Sequence, residues 1–152
     1  MYLTHALPAD VRTAAATDPS TVHSVAGGGE PLRCCLRNAA DGEELLLFNY
    51  EPPLPDSPYR ERGAVFAHAG ECPGPANGDY PADWLGKPQA LRAYDARGWI
   101  HPATRTHDGA NPSAALAEVL AAPGVVEVHS RNLAYGCYMF AATHRESPFQ
   151  DR

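Results

Sequence analysis

Four prolines, Pro52, Pro53, Pro55 and Pro58, fall between Glu51 and Arg62. Proline fixes φ and lacks the amide hydrogen that a helix or a sheet ladder needs, so this stretch must cross the surface as an extended loop. The same punctuation recurs along the chain. Fifteen prolines and thirteen glycines in 152 residues sit mainly between short apolar runs, which predicts many turns and long ordered loops. That share of breakers stays below the level that marks disorder. Such a chain can build short strands, mostly joined as hairpins, and a few helices. The predicted class is α+β: an antiparallel sheet of short strands with two or three helices and long Pro/Gly-rich loops. The length suits a single domain over residues 1–152 with one core.

The runs between breakers give the expected elements. Residues 8 to 17 read as a short helix with Pro8 at its start, and Val22 to Ala26 as a weak strand closed by three glycines. Leu45 to Tyr50 is the clearest strand, apolar on both parities up to Phe48, as in a central strand covered on both faces. Ala64 to His68 is another strand, and the loop 69–89 should anchor itself through Trp84. Leu91–Tyr94 and Trp99–Thr104 are expected to pair across Asp95-Ala96-Arg97-Gly98, a type I turn with Gly98 at positive φ. The strongest helix signal follows: Asn111 as N-cap, Pro112 where a missing N–H costs nothing, a Leu116/Val119/Leu120 stripe, and Pro123-Gly124 as the stop. The segment 125–140 reads as a closing hairpin. With Arg131 to Ala134 as its loop, His129 would face Gly136 and Val128 would face Cys137. Cys137 would then share a face with Val126 and Val128 as a core thiol.

A formal charge of −6 and a pI near 5.6 argue against nucleic acid or an anionic membrane surface as partner. A local basic pocket for one small anion remains compatible with that balance. No apolar run reaches transmembrane length, and the N-terminal residues lack the pattern of a signal peptide, so a cytoplasmic location is expected. The four cysteines, Cys34, Cys35, Cys72 and Cys137, should then be thiols.

Several stretches together resemble a bacterial family known as domain of unknown function 1203. They are Pro31-Leu32-Arg33-Cys34-Cys35-Leu36, Gly42-Glu43 with the Leu45–Tyr50 strand, Ser57-Pro58-Tyr59-Arg60 and Gly63-Ala64-Val65-Phe66. Leu91-Arg92-Ala93-Tyr94-Asp95, His107-Asp108-Gly109 and His129-Ser130-Arg131-Asn132 to Tyr135-Gly136-Cys137 continue the likeness over roughly residues 30 to 143. Ala64 departs from it, since the family pattern favours proline there. The resemblance implies a shared fold and a shared set of polar residues, with no activity attached.

Arg33, Arg60 and Arg131 each stand in one of those stretches beside rigid loop residues, and arginine is the side chain that grips carboxylate or phosphate with two parallel hydrogen bonds. Tyr59 and Arg60, in a proline-stiffened loop, would present a preorganised phenol and guanidinium. The bland alternative is that these arginines tie loops to free carbonyls. His129 is the candidate acid or base, with Tyr59 or Asn132 as hydrogen-bond partners, Tyr94 in the substrate-binding set and Cys137 as a further candidate group. Asp95 could orient a histidine but suits a turn cap better, and His107-Asp108-Gly109 reads as a turn by the same logic. His68 and Cys72, four apart, with His101, His107, His129 or Cys137, are the residues that could ligate a metal. The adjacent Cys34-Cys35 is unlike a metal knuckle, and no Cys-x-x-Cys, His-x-x-x-His or acidic cluster is present. No metal and no organic cofactor are expected.

The leading expectation is a small cytosolic enzyme acting on a small anionic metabolite through arginine anchoring and His129 acid–base chemistry. The alternative is a non-catalytic module, with a homodimer as one form, that binds a carboxylate-bearing ligand or peptide. The third is that most of these polar residues are staples of a loop-rich fold.

Overall fold

The computed structural model describes residues 1–145. Its strands are β1 (Tyr2–His5), β2 (Val22–Val25), β3 (Pro31–Leu32), β4 (Arg37–Asn38), β5 (Glu44–Tyr50), β6 (Gly63–His68), β7 (Gln89–Tyr94), β8 (Arg105–His107), β9 (Glu127–Asn132) and β10 (Tyr138–His144). The helices are α1 (Ala9–Thr17) and α2 (Pro112–Ala121), and Ala82–Trp84 forms a 3-10 turn. The α+β class holds, with the strands divided between two sheets. One runs β1-β10-β9-β7-β8 and is antiparallel throughout; the other runs β2-β5-β6-β3-β4 and includes one parallel pair, β3 with β6.

The predicted helix signals act as read. Asn111 Oδ1 accepts from the Ala114 amide, and Leu116, Val119 and Leu120 are buried. That stripe packs on Leu91, Ala93, Val128, Phe140 and Ala142 of the first sheet. Trp84, fully buried, stacks on Phe140 with ring centroids 6.1 Å apart and donates its indole N–H to Asn38 Oδ1 at 2.9 Å, joining the two sheets. The second sheet builds its own core from Leu32, Leu45, Leu46, Phe48 and Val65, with Ala15 of α1 beside them. β5 lies between β2 and β6, as its apolar run predicts.

Two hairpins differ from expectation. After the Asp95–Gly98 turn, which closes by Gly98 N–H to Asp95 O at 3.0 Å, the pairing is one bridge, Tyr94 with Ile100, held by Asp95 N–H to Trp99 O and His101 N–H to Ala93 O. Pro102 cannot donate, and the chain turns again through Thr104 N–H to His101 O. The return strand is β8, two residues further on in register. In the closing hairpin Arg131 pairs with Tyr138, His129 with Ala141 and Val128 with Ala142. The loop is Leu133–Cys137, not Arg131–Ala134, because Asn132 starts it: its Oδ1 caps the Tyr135 amide and its carbonyl accepts from Gly136, whose φ is +74°. Partners shift by four residues beside the loop and by five beyond an irregularity between Tyr138 and Phe140, and Cys137 falls in the loop itself, so it leaves the core as a half-buried thiol.

Candidate functional site

Strand alternation divides the first sheet chemically. Val128 and its row face α2, so Tyr94, Glu127, His129 and Arg131 face the other way. That second face is also covered: Tyr94, Glu127 and His129 are all buried. Burying a carboxylate and an imidazole demands that they satisfy each other, and they do, His129 Nε2 lying 2.5 Å from Glu127 Oε2. The imidazole ring is 4.8 Å from the ring of Tyr94 and 5.3 Å from that of Tyr138. Burial first, then the Arg131 and Arg92 guanidiniums, push His129 down to about 3. The imidazole is therefore neutral at neutral pH and shares one hydrogen bond with Glu127 through Nε2. Burial raises the Tyr94 and Tyr138 phenols above their ordinary range.

Around this centre the charges are paired across long sequence distances. Glu61, on the proline-rich loop, receives both Arg92 and Arg131 on the same carboxylate oxygen, the second at 2.5 Å. Arg131 also donates Nη1 to Gly136 O at 2.9 Å, bracing the loop 133–137. Its Nε is buried and has no hydrogen-bond partner among the described residues. Beside it opens a cleft of about 210 Å³ walled by Arg131, Arg62, Glu61, Tyr50, Tyr138 and Cys137. An adjoining cleft of about 440 Å³ shares Cys137 and Tyr135 and reaches Arg33 and Asn132.

The structure thus gathers Arg131, Tyr94 and His129, with Cys137 at the cleft wall. It disperses other predicted members. Arg60 is tied to Glu51 and Asp56 on its own loop, and Tyr59 packs edge-on against Trp99 at 5.6 Å. Neither side chain stands among the groups around His129, because the loop that carries them closes on Gly98 through the Ser57 hydroxyl at 2.9 Å. Arg33 is buried and donates to the carbonyls of Tyr138 (2.7 Å) and Pro31 (2.5 Å), a staple between the sheets. Burial pushes its guanidinium down to about 10. Asn132 is spent on the loop and on Met139 Sδ. Asp95 caps its own turn, as read, through the Arg97 and Trp99 amides.

Sequence reasoning missed Glu127, Glu61, Arg92 and Tyr138. Only Glu127 carried a local signal, an acid two residues before a histidine on one strand face. It also missed a second buried polar group on the α2 side, where Tyr80 donates to Gln89 Oε1 at 3.2 Å near Ser130 and His107. At the far end of the second sheet, Cys34, Cys35, His68 and Cys72 bring their ligand atoms within 4.8 Å of one another.

Fold and site together define a two-sheet α+β protein with an enclosed His–Glu pair behind an arginine-lined cleft. Residues 29–144 match the family model described as protein of unknown function (DUF1203), and the chain belongs to that family. Neither the curated proteins nor the solved structures returned a match. Among the described residues no helix is long and apolar enough to cross a membrane.

Proposed function

We propose that this protein binds a small carboxylate- or phosphate-bearing ligand in the 210 Å³ cleft, with Arg131 as its anchor. The observation that carries this is the Arg131 guanidinium on the cleft wall, held in place by Gly136 O and Glu61. Arg62 on the same wall adds a second positive charge in a chain whose formal charge is −6. The cleft is smaller than the roughly 300–1,000 Å³ typical of drug-sized ligands, which suits a small metabolite.

The binding form of the proposal is favoured over the catalytic form. Acid–base work needs His129 within hydrogen-bond reach of the ligand, yet its side chain is 1% exposed and its Nε2 is committed to Glu127. Its role here is to hold the sheet face from which Arg131 projects. Cytoplasmic function is part of the same proposal. A thermal-shift panel of inorganic phosphate and short mono- and dicarboxylates tests it: at least one anion should stabilise the wild type, and Arg131→Gln should lose that shift while staying folded. Equal shifts in wild type and variant would refute it.

A further inference from the structure

The remaining cluster lies away from the cleft, where the second sheet meets the loop after β6. The turn 33–36 between β3 and β4 carries Cys34 and Cys35 consecutively, and β6 ends at His68 beside them. Cys72 follows four residues later in a segment without regular structure. Nδ1 of His68 lies 3.6 Å from Cys34 Sγ and 3.9 Å from Cys35 Sγ. Zinc in a tetrahedron of thiolates and imidazole, with bonds of about 2.3 and 2.0–2.1 Å, sets its ligand atoms roughly 3.5–3.8 Å apart. All four ligand atoms here already lie within 4.8 Å of one another, so small side-chain adjustments would close the tetrahedron.

The histidine is prepared for that role. Its Nε2 lies 2.9 Å from Glu43 Oε2. A carboxylate accepting Nε2–H leaves the Nδ1 lone pair aimed at the sulfurs, the outer-carboxylate arrangement that orients metal-bound histidines. Backbone contacts fix the frame: the His68 amide donates to Cys34 Sγ at 3.2 Å, and Arg12 donates to His68 O at 3.1 Å. Cys34, Cys35 and His68 are buried and Cys72 is half-buried, so all four coordination positions come from protein. That is the pattern of a structural site, in contrast to a catalytic one with an open position.

We infer that Cys34, Cys35, His68 and Cys72 form a structural zinc site that clips the 33–36 turn and the end of β6 to the loop beyond it. That loop runs to the 3-10 turn without regular structure, and loops of this length with no structure of their own are uncommon in compact domains. The inference stands apart from the anion cleft, which uses none of these residues.

The test is the full chain expressed in zinc-supplemented medium and purified without chelator. Elemental analysis should find one zinc per chain, and cobalt exchange should give thiolate-to-metal charge transfer with the visible bands of a tetrahedral site. In the zinc form a thiol reagent should modify Cys137 rapidly and the other three cysteines slowly, and a chelator should abolish that protection. Cys72→Ser and His68→Gln should lower zinc content from one per chain to near none. Should those variants fail to fold, the cobalt spectrum and thiol count of the wild type decide alone. Metal-free protein with unchanged thiol reactivity under chelator would overturn the site. So would copper in place of zinc, or a disulfide from Cys72 to Cys34 or Cys35.

Discussion

His129 Nε2 and Glu127 Oε2 lie 2.5 Å apart on one face of β9, their side chains 1% and 7% exposed. Each removes the desolvation cost of the other, so breaking one partner strands a buried polar group. Glu127→Ala should destabilise by roughly 1–3 kcal/mol, and Glu127→Gln, which keeps an acceptor, by less. Urea denaturation of the two variants checks the order; equal losses would contradict it.

The burial of His129 sets an acid limb. His129 is held at about 3 against an ordinary 6.5, by burial first and by Arg131 and Arg92 second. Between those values the unfolded chain binds a proton that the folded chain refuses. Stability is therefore full above about pH 6.5 and falls as pH drops toward 3, by up to about 1.4 kcal/mol per pH unit. Burial lowers His107 too, with the same sign. His129→Gln should flatten the slope of unfolding free energy against pH in this window, as read by chemical denaturation at several pH values.

Trp84 joins both halves of the molecule, by stacking on Phe140 and by its bond to Asn38. Trp84→Ala should cost about 3–5 kcal/mol. Trp84→Phe should recover most of the packing and leave only the Asn38 oxygen to be resolvated. Thermal melts of the two variants separate the contributions.

Gly109 has φ +91° and a hypothetical Cβ would lie 2.5 Å from the carbonyl carbon and oxygen of Gly86. Backbone strain alone costs on the order of 1–3 kcal/mol, and the clash is with main chain that cannot rotate away. Gly109→Ala should lower the melting temperature, whereas Gly29→Ala, with positive φ but open space, should do so only through its backbone.

What could be read from sequence follows from how local each determinant is. α2 announced itself because its cap, first-turn proline and apolar stripe are all within a dozen residues. Trp84 was legible as an anchor because a large aromatic amid breakers has to be buried somewhere. The final hairpin was not, because either parity of 125–140 offers a plausible apolar face and the Asn132 side chain decides where the loop begins. Glu61 meets Arg131 across 70 residues of chain, a pairing that no local pattern encodes. The thiol cluster was half visible as His68 and Cys72; the other half sits more than thirty residues earlier, in a turn whose geometry the adjacent cysteines do not reveal.

The most direct test of the anion cleft is a two-dimensional amide NMR titration with inorganic phosphate and with the best carboxylate from the thermal panel. Saturable shifts concentrated at Gly63, Ala64, Arg131, Gly136 and Cys137, and absent in Arg131→Gln, are the predicted result. Shifts elsewhere on the surface, or none at any concentration, would contradict it.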